Sequence, residues 1–140
     1  MPKKKVLVLC VHNSARSQMA EGFIRAIYGV DVYSAGSEPT YLHPLAVEVM
    51  KEVGIDISNQ RAKHLSEFKG MKFDLVLTVC GHPDETGEEC PFFPGAKKYI
   101  HKSFEEPDRK ELSDVEKLEK FRKVRDELRE WVMELEHEFV

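Results

Sequence analysis

The feature that most constrains this chain is the unbroken apolar run Lys5-Val6-Leu7-Val8-Leu9-Cys10, followed at once by the polar turn His12-Asn13-Ser14. An apolar run of that length without alternation suits a strand covered on both faces. From about Arg16 to Ile27 the pattern turns helical, with Met19, Phe23 and Ile27 at four-residue spacing and Gly29 as a terminator. Val30 to Ser34 alternates like a second strand, closed by Ala35-Gly36. Pro44 to Val53 reads as a helix with proline in its first turn and Gly54 as its stop. Phe73 to Val79 is another buried strand running into Cys80-Gly81, and a shorter strand is expected near Lys98 to Ile100 after a polar loop from Gly81 to Gly95. Ser113-Asp114-Val115-Glu116 forms a capping box for a long helix whose inner face reads Val115, Leu118, Phe121, Val124, Leu128, Trp131 and Leu135. Strands alternating with helices predict an α/β domain with a parallel sheet and helices on both faces.

Composition narrows the functional classes. The 140 residues fit one domain, 1–140, and 41% hydrophobic residues suffice for its core. The run from Val6 to Val11 is too short to cross a bilayer and lacks the cleavage site of a secretory signal, so a cytoplasmic protein without a membrane partner is expected. Lys and Arg number 21 against 25 Asp and Glu, a net charge of -4 that argues against a nucleic-acid binder. Three cysteines are an odd number, which makes a structural disulfide framework improbable and leaves reduced, reactive or metal-bound thiols.

The richest segment is Cys10-Val11-His12-Asn13-Ser14-Ala15-Arg16-Ser17. It places a cysteine at the carboxyl end of a buried strand, where ligands of parallel sheets bind. A short loop entering a helix presents the backbone N–H groups of Val11, His12, Asn13, Ser14, Ala15 and Arg16 to one concavity, which suits a tetrahedral oxyanion. Arg16 can add a charge-assisted fork, and that positive field favours the thiolate of Cys10 as a nucleophile. Ser17 can donate to the sulfur, and Asn13 can hold the loop through its amide. The other two thiols stay open at this level. Cys80 can also be read as a small buried apolar residue, and Cys80, His82 and Cys90 are acceptable zinc ligands, although the paired Cys-x-x-Cys spacing and a fourth ligand are missing. His101 and the remaining histidines read as surface residues.

The loop resembles the phosphate-binding signature of low-molecular-weight protein tyrosine phosphatases and of the arsenate reductases that share their fold. Cys10 to Gly22, Val32 to Gly36, Val49 to Asn59, Asp74 to Cys80 and Cys90-Pro91 are similar to the thioredoxin-coupled arsenate reductases. The resemblance implies a single-domain, three-layer fold around a central parallel four-stranded sheet. It also implies the chemistry: Cys10 attacks arsenate, Cys80 attacks Cys10 to release arsenite, Cys90 attacks Cys80, and thioredoxin reduces the resulting disulfide. No cofactor is implied, phosphate or sulfate would mimic arsenate, and a monomer is expected. A phosphatase acting on phosphotyrosine or small phosphoesters through Cys10 alone is the alternative, and a non-catalytic oxyanion or redox sensor is a third reading.

Three departures from the family pattern matter, one being a Cys80–Cys90 loop longer than the commonest reductase version by a few residues. The acid that protonates the leaving group is usually Asp before Pro, whereas this chain has Glu105-Glu106-Pro107, so Glu106 takes the position with one more methylene. Asp108 lies on the wrong side of that proline, and the Tyr pair common in the phosphatases is missing. Several family reductases also hold a potassium ion through Asn, Glu, Ser and Asp oxygens. Here Asn13, Glu21 and Ser34 match the first three, and Lys63 stands at the fourth. No metal is therefore expected; the Lys63 side chain is expected to pair with Glu21 and steady Asn13.

Overall fold

The computed structural model describes residues 3–80 and 90–140. Four strands form one parallel sheet in the order β2-β1-β3-β4, with β1 Lys5–Cys10, β2 Asp31–Gly36, β3 Phe73–Thr78 and β4 Ala96–His101. The apolar run is the inner strand its pattern requires, since β1 pairs with both β2 and β3. Helices α1 Arg16–Tyr28, α2 Pro44–Glu52 and α3 Asp114–Glu134 pack on one another, followed by the single turn α4 Glu136–Phe139. Val6, Val8 and Cys10 face the core that these helices share. Leu7 and Leu9 point the other way, into a smaller cluster with Phe68, Phe73 and Phe93. That second face is covered, among the described residues, by a one-turn 3-10 helix, Leu65–Phe68, and by the chain around Phe93.

Two core assignments do not hold. Val115 is 69% exposed. At about 100° per residue it lies roughly 120° around α3 from Phe121, so the stripe of Phe121, Val124, Leu128 and Trp131 leaves it behind. Ile27 is 42% exposed because the buried stripe of α1 passes through Ala20 and Ile24 to Tyr28, whose ring stacks on Phe139. β4 is longer than expected, and the Ser113–Glu116 capping box forms in both directions. Among the described residues no helix is long and apolar enough to cross a membrane.

One packing detail positions the site. Gly36 ends β2 opposite Cys10, and its N–H donates to the Lys63 carbonyl at 2.9 Å. A Cβ there would lie 2.3 Å from the Val11 carbonyl oxygen and 3.0 Å from the Asn13 nitrogen. Both are backbone atoms of the loop and cannot swing aside. Gly36→Ala is therefore expected to cost about 1–3 kcal/mol, seen as a lower urea midpoint at an unchanged m-value, together with loss of activity at the loop.

Candidate active site

The loop between β1 and α1 is shaped by where its carbonyls go. The Val11, His12 and Ser14 oxygens accept from the N–H groups of Glu38, Thr40 and His43 at 2.8, 3.1 and 3.0 Å. The Asn13 oxygen accepts from Gln18 Nε2 at 2.9 Å. Each peptide plane is trans among the described residues, so a carbonyl held outward turns the next N–H inward. The N–H groups of His12, Asn13, Ser14 and Ala15 therefore converge on the opposite side. α1 opens there too, and Ala15 at its N-cap has no side chain able to cap it. The arrangement is a concavity of donors at the positive end of a helix, suited to an oxyanion.

Cys10 lies at its floor, 2% exposed. The Asn13 N–H donates to its Sγ at 3.1 Å, and Ser17 Oγ lies 2.9 Å away. Asn13 Nδ2 donates to Ser17 Oγ at 2.7 Å, which leaves the serine hydroxyl hydrogen to point at the sulfur. Two donors aimed at one sulfur suit an anionic nucleophile.

Asn13 is the hub. It is fully buried with φ of 49°, a left-handed conformation that asparagine tolerates better than most residues. Nδ2 also donates to Ser34 Oγ at 3.0 Å, while Oδ1 accepts from the Lys63 N–H and from Gln18 Nε2 at 3.0 and 3.1 Å. All four hydrogen-bonding positions of the amide are thus filled. Ser34 passes its own hydroxyl to Glu21 Oε1 at 2.6 Å, and Arg25 donates to Glu21 Oε2 at 2.6 Å.

The Lys63 ammonium pairs with Glu21 as expected, but it does not steady Asn13. The Lys63 backbone holds Asn13 instead. Nζ donates to the Arg61 carbonyl at 2.9 Å and stands 4.0 Å from Glu21 Oε1, so Arg25 is the closer counter-charge. Burial holds the Lys63 ammonium below the usual lysine range, against the pull of Glu21. Potassium does not fit these residues. Both Glu21 oxygens already accept hydrogen bonds, and two cations stand beside the carboxylate.

The remaining residues arrive from other elements. Arg16, 2% exposed, donates to the Phe104 carbonyl and to Glu106 Oε2, both at 3.0 Å. Two of the five guanidinium donors thus tie the acid loop to the oxyanion loop. Cys80 follows Val79, whose N–H bonds the Leu9 carbonyl at 3.0 Å, and so lies just past β3, beside the end of β1. It is buried and joined in a disulfide to the exposed Cys90, while Cys10 is a free thiol. The bonded pair is unavailable as two zinc thiolates, and His82 lies outside the described residues. Cys10, Asn13, Arg16, Ser17, Glu21, Ser34 and Glu106 fall into one neighbourhood.

Sequence reasoning missed Gln18, Arg25, Gln60, His43 and Asp108. Arg25 had a signal, since it stands four residues after Glu21 on one helix. Gln18 had none beyond being a polar residue in a buried stretch; Gln60 Nε2 donates to its Oε1 at 2.8 Å. His43 is no surface residue, with its side chain only 12% exposed.

A family model described as low molecular weight phosphotyrosine protein phosphatase matches residues 5–139. An arsenate reductase of Halalkalibacterium halodurans is 45% identical over 130 residues, covering 91% of this chain and 91% of that protein. A solved arsenate reductase in the phosphate-binding state is similar with a TM-score of 0.80 and 34% identity, over 98% of this chain and 99% of that one. A thioredoxin-dependent arsenate reductase of Corynebacterium glutamicum gives 0.66 and 30%, over 97% of this chain and 63% of that one.

Three outcomes follow from the hub. Asn13→Ala leaves buried partners unsatisfied and is expected to cost on the order of 3 kcal/mol in urea unfolding, with loss of turnover. Lys63→Ala keeps the backbone N–H and should disturb the loop far less. Turnover is expected to be equal in potassium and in a matched choline salt; specific potassium activation would contradict the fit described above.

Proposed function

The chain belongs to the low-molecular-weight phosphotyrosine protein phosphatase family, and we propose that this member reduces arsenate to arsenite with thiols renewed by thioredoxin. The observation that carries this reading is the Cys80–Cys90 disulfide at the sheet edge that also bears the Cys10 loop. A phosphatase needs only the first cysteine. A reductase needs two more electrons, and a second and third thiol supply them.

Arsenate occupies the loop as a tetrahedral oxyanion, held by the converging N–H groups and by Arg16. Its arrival draws the guanidinium away from Glu106, which then faces the leaving oxygen. Cys10 Sγ attacks arsenic, and the departing hydroxide takes a proton from Glu106 and leaves as water. Cys80 then attacks Cys10 Sγ. The S–As bond breaks with its electron pair on arsenic, giving As(III) as arsenite and a Cys10–Cys80 disulfide. Cys90 attacks Cys80, which frees Cys10 as a thiolate and leaves Cys80–Cys90 oxidised. The exposure of Cys90 supports reduction by a dithiol on another protein. A reducing compartment follows from that requirement, so we place the enzyme in the cytoplasm, acting as a monomer.

The shared loop favours a second reading, hydrolysis of phosphotyrosine or small phosphoesters through a Cys10 phosphoenzyme. One pair of assays separates them: arsenite formation with thioredoxin, its reductase and NADPH, beside aryl phosphate hydrolysis. Cys10→Ser should reduce both to background. Cys80→Ser and Cys90→Ser should each stop repeated arsenate turnover while sparing slow aryl phosphate hydrolysis. If both variants still turn over arsenate normally with thioredoxin, the relay is wrong and the phosphatase reading takes its place.

A further inference from the structure

His43 stands just before Pro44, where the sequence reads as an ordinary helix entry. In the structure it joins three segments. Its N–H donates to the Ser14 carbonyl at 3.0 Å, tying it to the oxyanion loop. Its ring Nδ1 accepts the Leu45 N–H at 3.1 Å and so caps α2. Its Nε2 lies 3.1 Å from Asp108 Oδ2, on the acid loop across the cleft. A ring nitrogen that accepts a hydrogen bond carries no hydrogen, so the cap places the proton of the neutral ring on Nε2, aimed at Asp108. The ring is seated between Tyr41 and Phe121, at centroid distances of 5.8 and 4.7 Å.

Asp108 is prepared to accept. Burial disfavours its charge, but the Lys117 ammonium, 3.0 Å from Oδ1, and His43 outweigh it and hold the carboxyl below its usual range. Each carboxylate oxygen thus has its own partner. The Asp108 N–H in turn donates to Glu106 Oε1 at 3.1 Å, leaving Oε2 toward Arg16. The orientation of the Glu106 carboxyl is therefore set by the backbone of Asp108, whose side chain is held by His43. Glutamate has one more rotatable bond than the aspartate usual at this position, and a general acid must sit within hydrogen-bond reach of its target.

We infer that His43 and Asp108 form a latch that positions Glu106 for proton delivery to the leaving group. Both are positioning residues. The inference rests on the proposed roles of Cys10 as nucleophile and Glu106 as acid. It supplies the constraint that the longer acid needs.

The test uses leaving-group dependence, which a merely structural role would not move. The substrates are p-nitrophenyl phosphate, whose leaving group needs little protonation, and phenyl phosphate, whose leaving group needs much. Phenol release is followed in single turnover with enzyme in excess. His43→Asn keeps a good cap for α2 but is too short to reach Asp108, and Asp108→Ala removes the acceptor. Each is expected to slow phenyl phosphate about tenfold and p-nitrophenyl phosphate less than about twofold, a fraction of what general acids supply. The double variant should be no worse than the poorer single one. Asp108→Asn keeps an acceptor oxygen and should recover most of the rate. Equal losses on both substrates, no loss, or additive losses would overturn the latch. Glu106→Gln is the control. If it leaves phenyl phosphate cleavage unchanged, the acid assignment itself falls; if it is selective and the latch variants are not, only the latch falls.

Discussion

Planarity of the peptide bond is the constraint on which the site depends. Four successive carbonyls of the loop after β1 are held outward, three by the chain between β2 and α2 and one by Gln18. Because each carbonyl and the following N–H point in opposite directions, those bonds build the donor concavity without any residue touching a substrate. The close approach of Gly36 to the Val11 carbonyl is part of the same arrangement, since a side chain there would force the loop off its supports. The fold thus determines most of the site through backbone geometry, with the Gln18 side chain supplying the fourth support.

Side chains then set direction. From Arg25 through Glu21, Ser34, Asn13 and Ser17 the hydrogen bonds run without a break to the Cys10 sulfur, with Asn13 Nδ2 donating to both serines. Buried chains of this kind fix hydrogen orientations as well as positions, because no water competes for the lone pairs. Among the described residues Glu21 is the only buried carboxylate, and Arg25 and Lys63 stand beside it. The nearer cation comes from a side chain four residues along the same helix.

The sheet, its parallel direction and the helix entries were legible because each rests on local periodicity: an apolar run for β1, a capping box for α3, proline at the start of α2. The phosphate-type loop was legible because it is contiguous. What escaped was set by tertiary placement. Val115 and Ile27 are apolar residues at plausible spacing whose helices rotate them away from the core. His43 and Asp108 lie 65 residues apart, and nothing in either local sequence announces the other. Lys63 was rightly placed beside Asn13, but the contact is made by its amide, which any non-proline residue would provide.

The Cys80–Cys90 bond has a consequence for how long the molecule lasts. It closes a loop between residues ten apart, and loop-closure entropy alone makes the bonded form more stable than the dithiol form by roughly 3 kcal/mol. In the proposed cycle the enzyme therefore alternates between a sturdier and a weaker state with every turnover. When reducing equivalents run short, the population collects in the bonded form, which opens less often and offers proteases fewer chances. Starvation for reductant would preserve the idle protein until the dithiol supply returns.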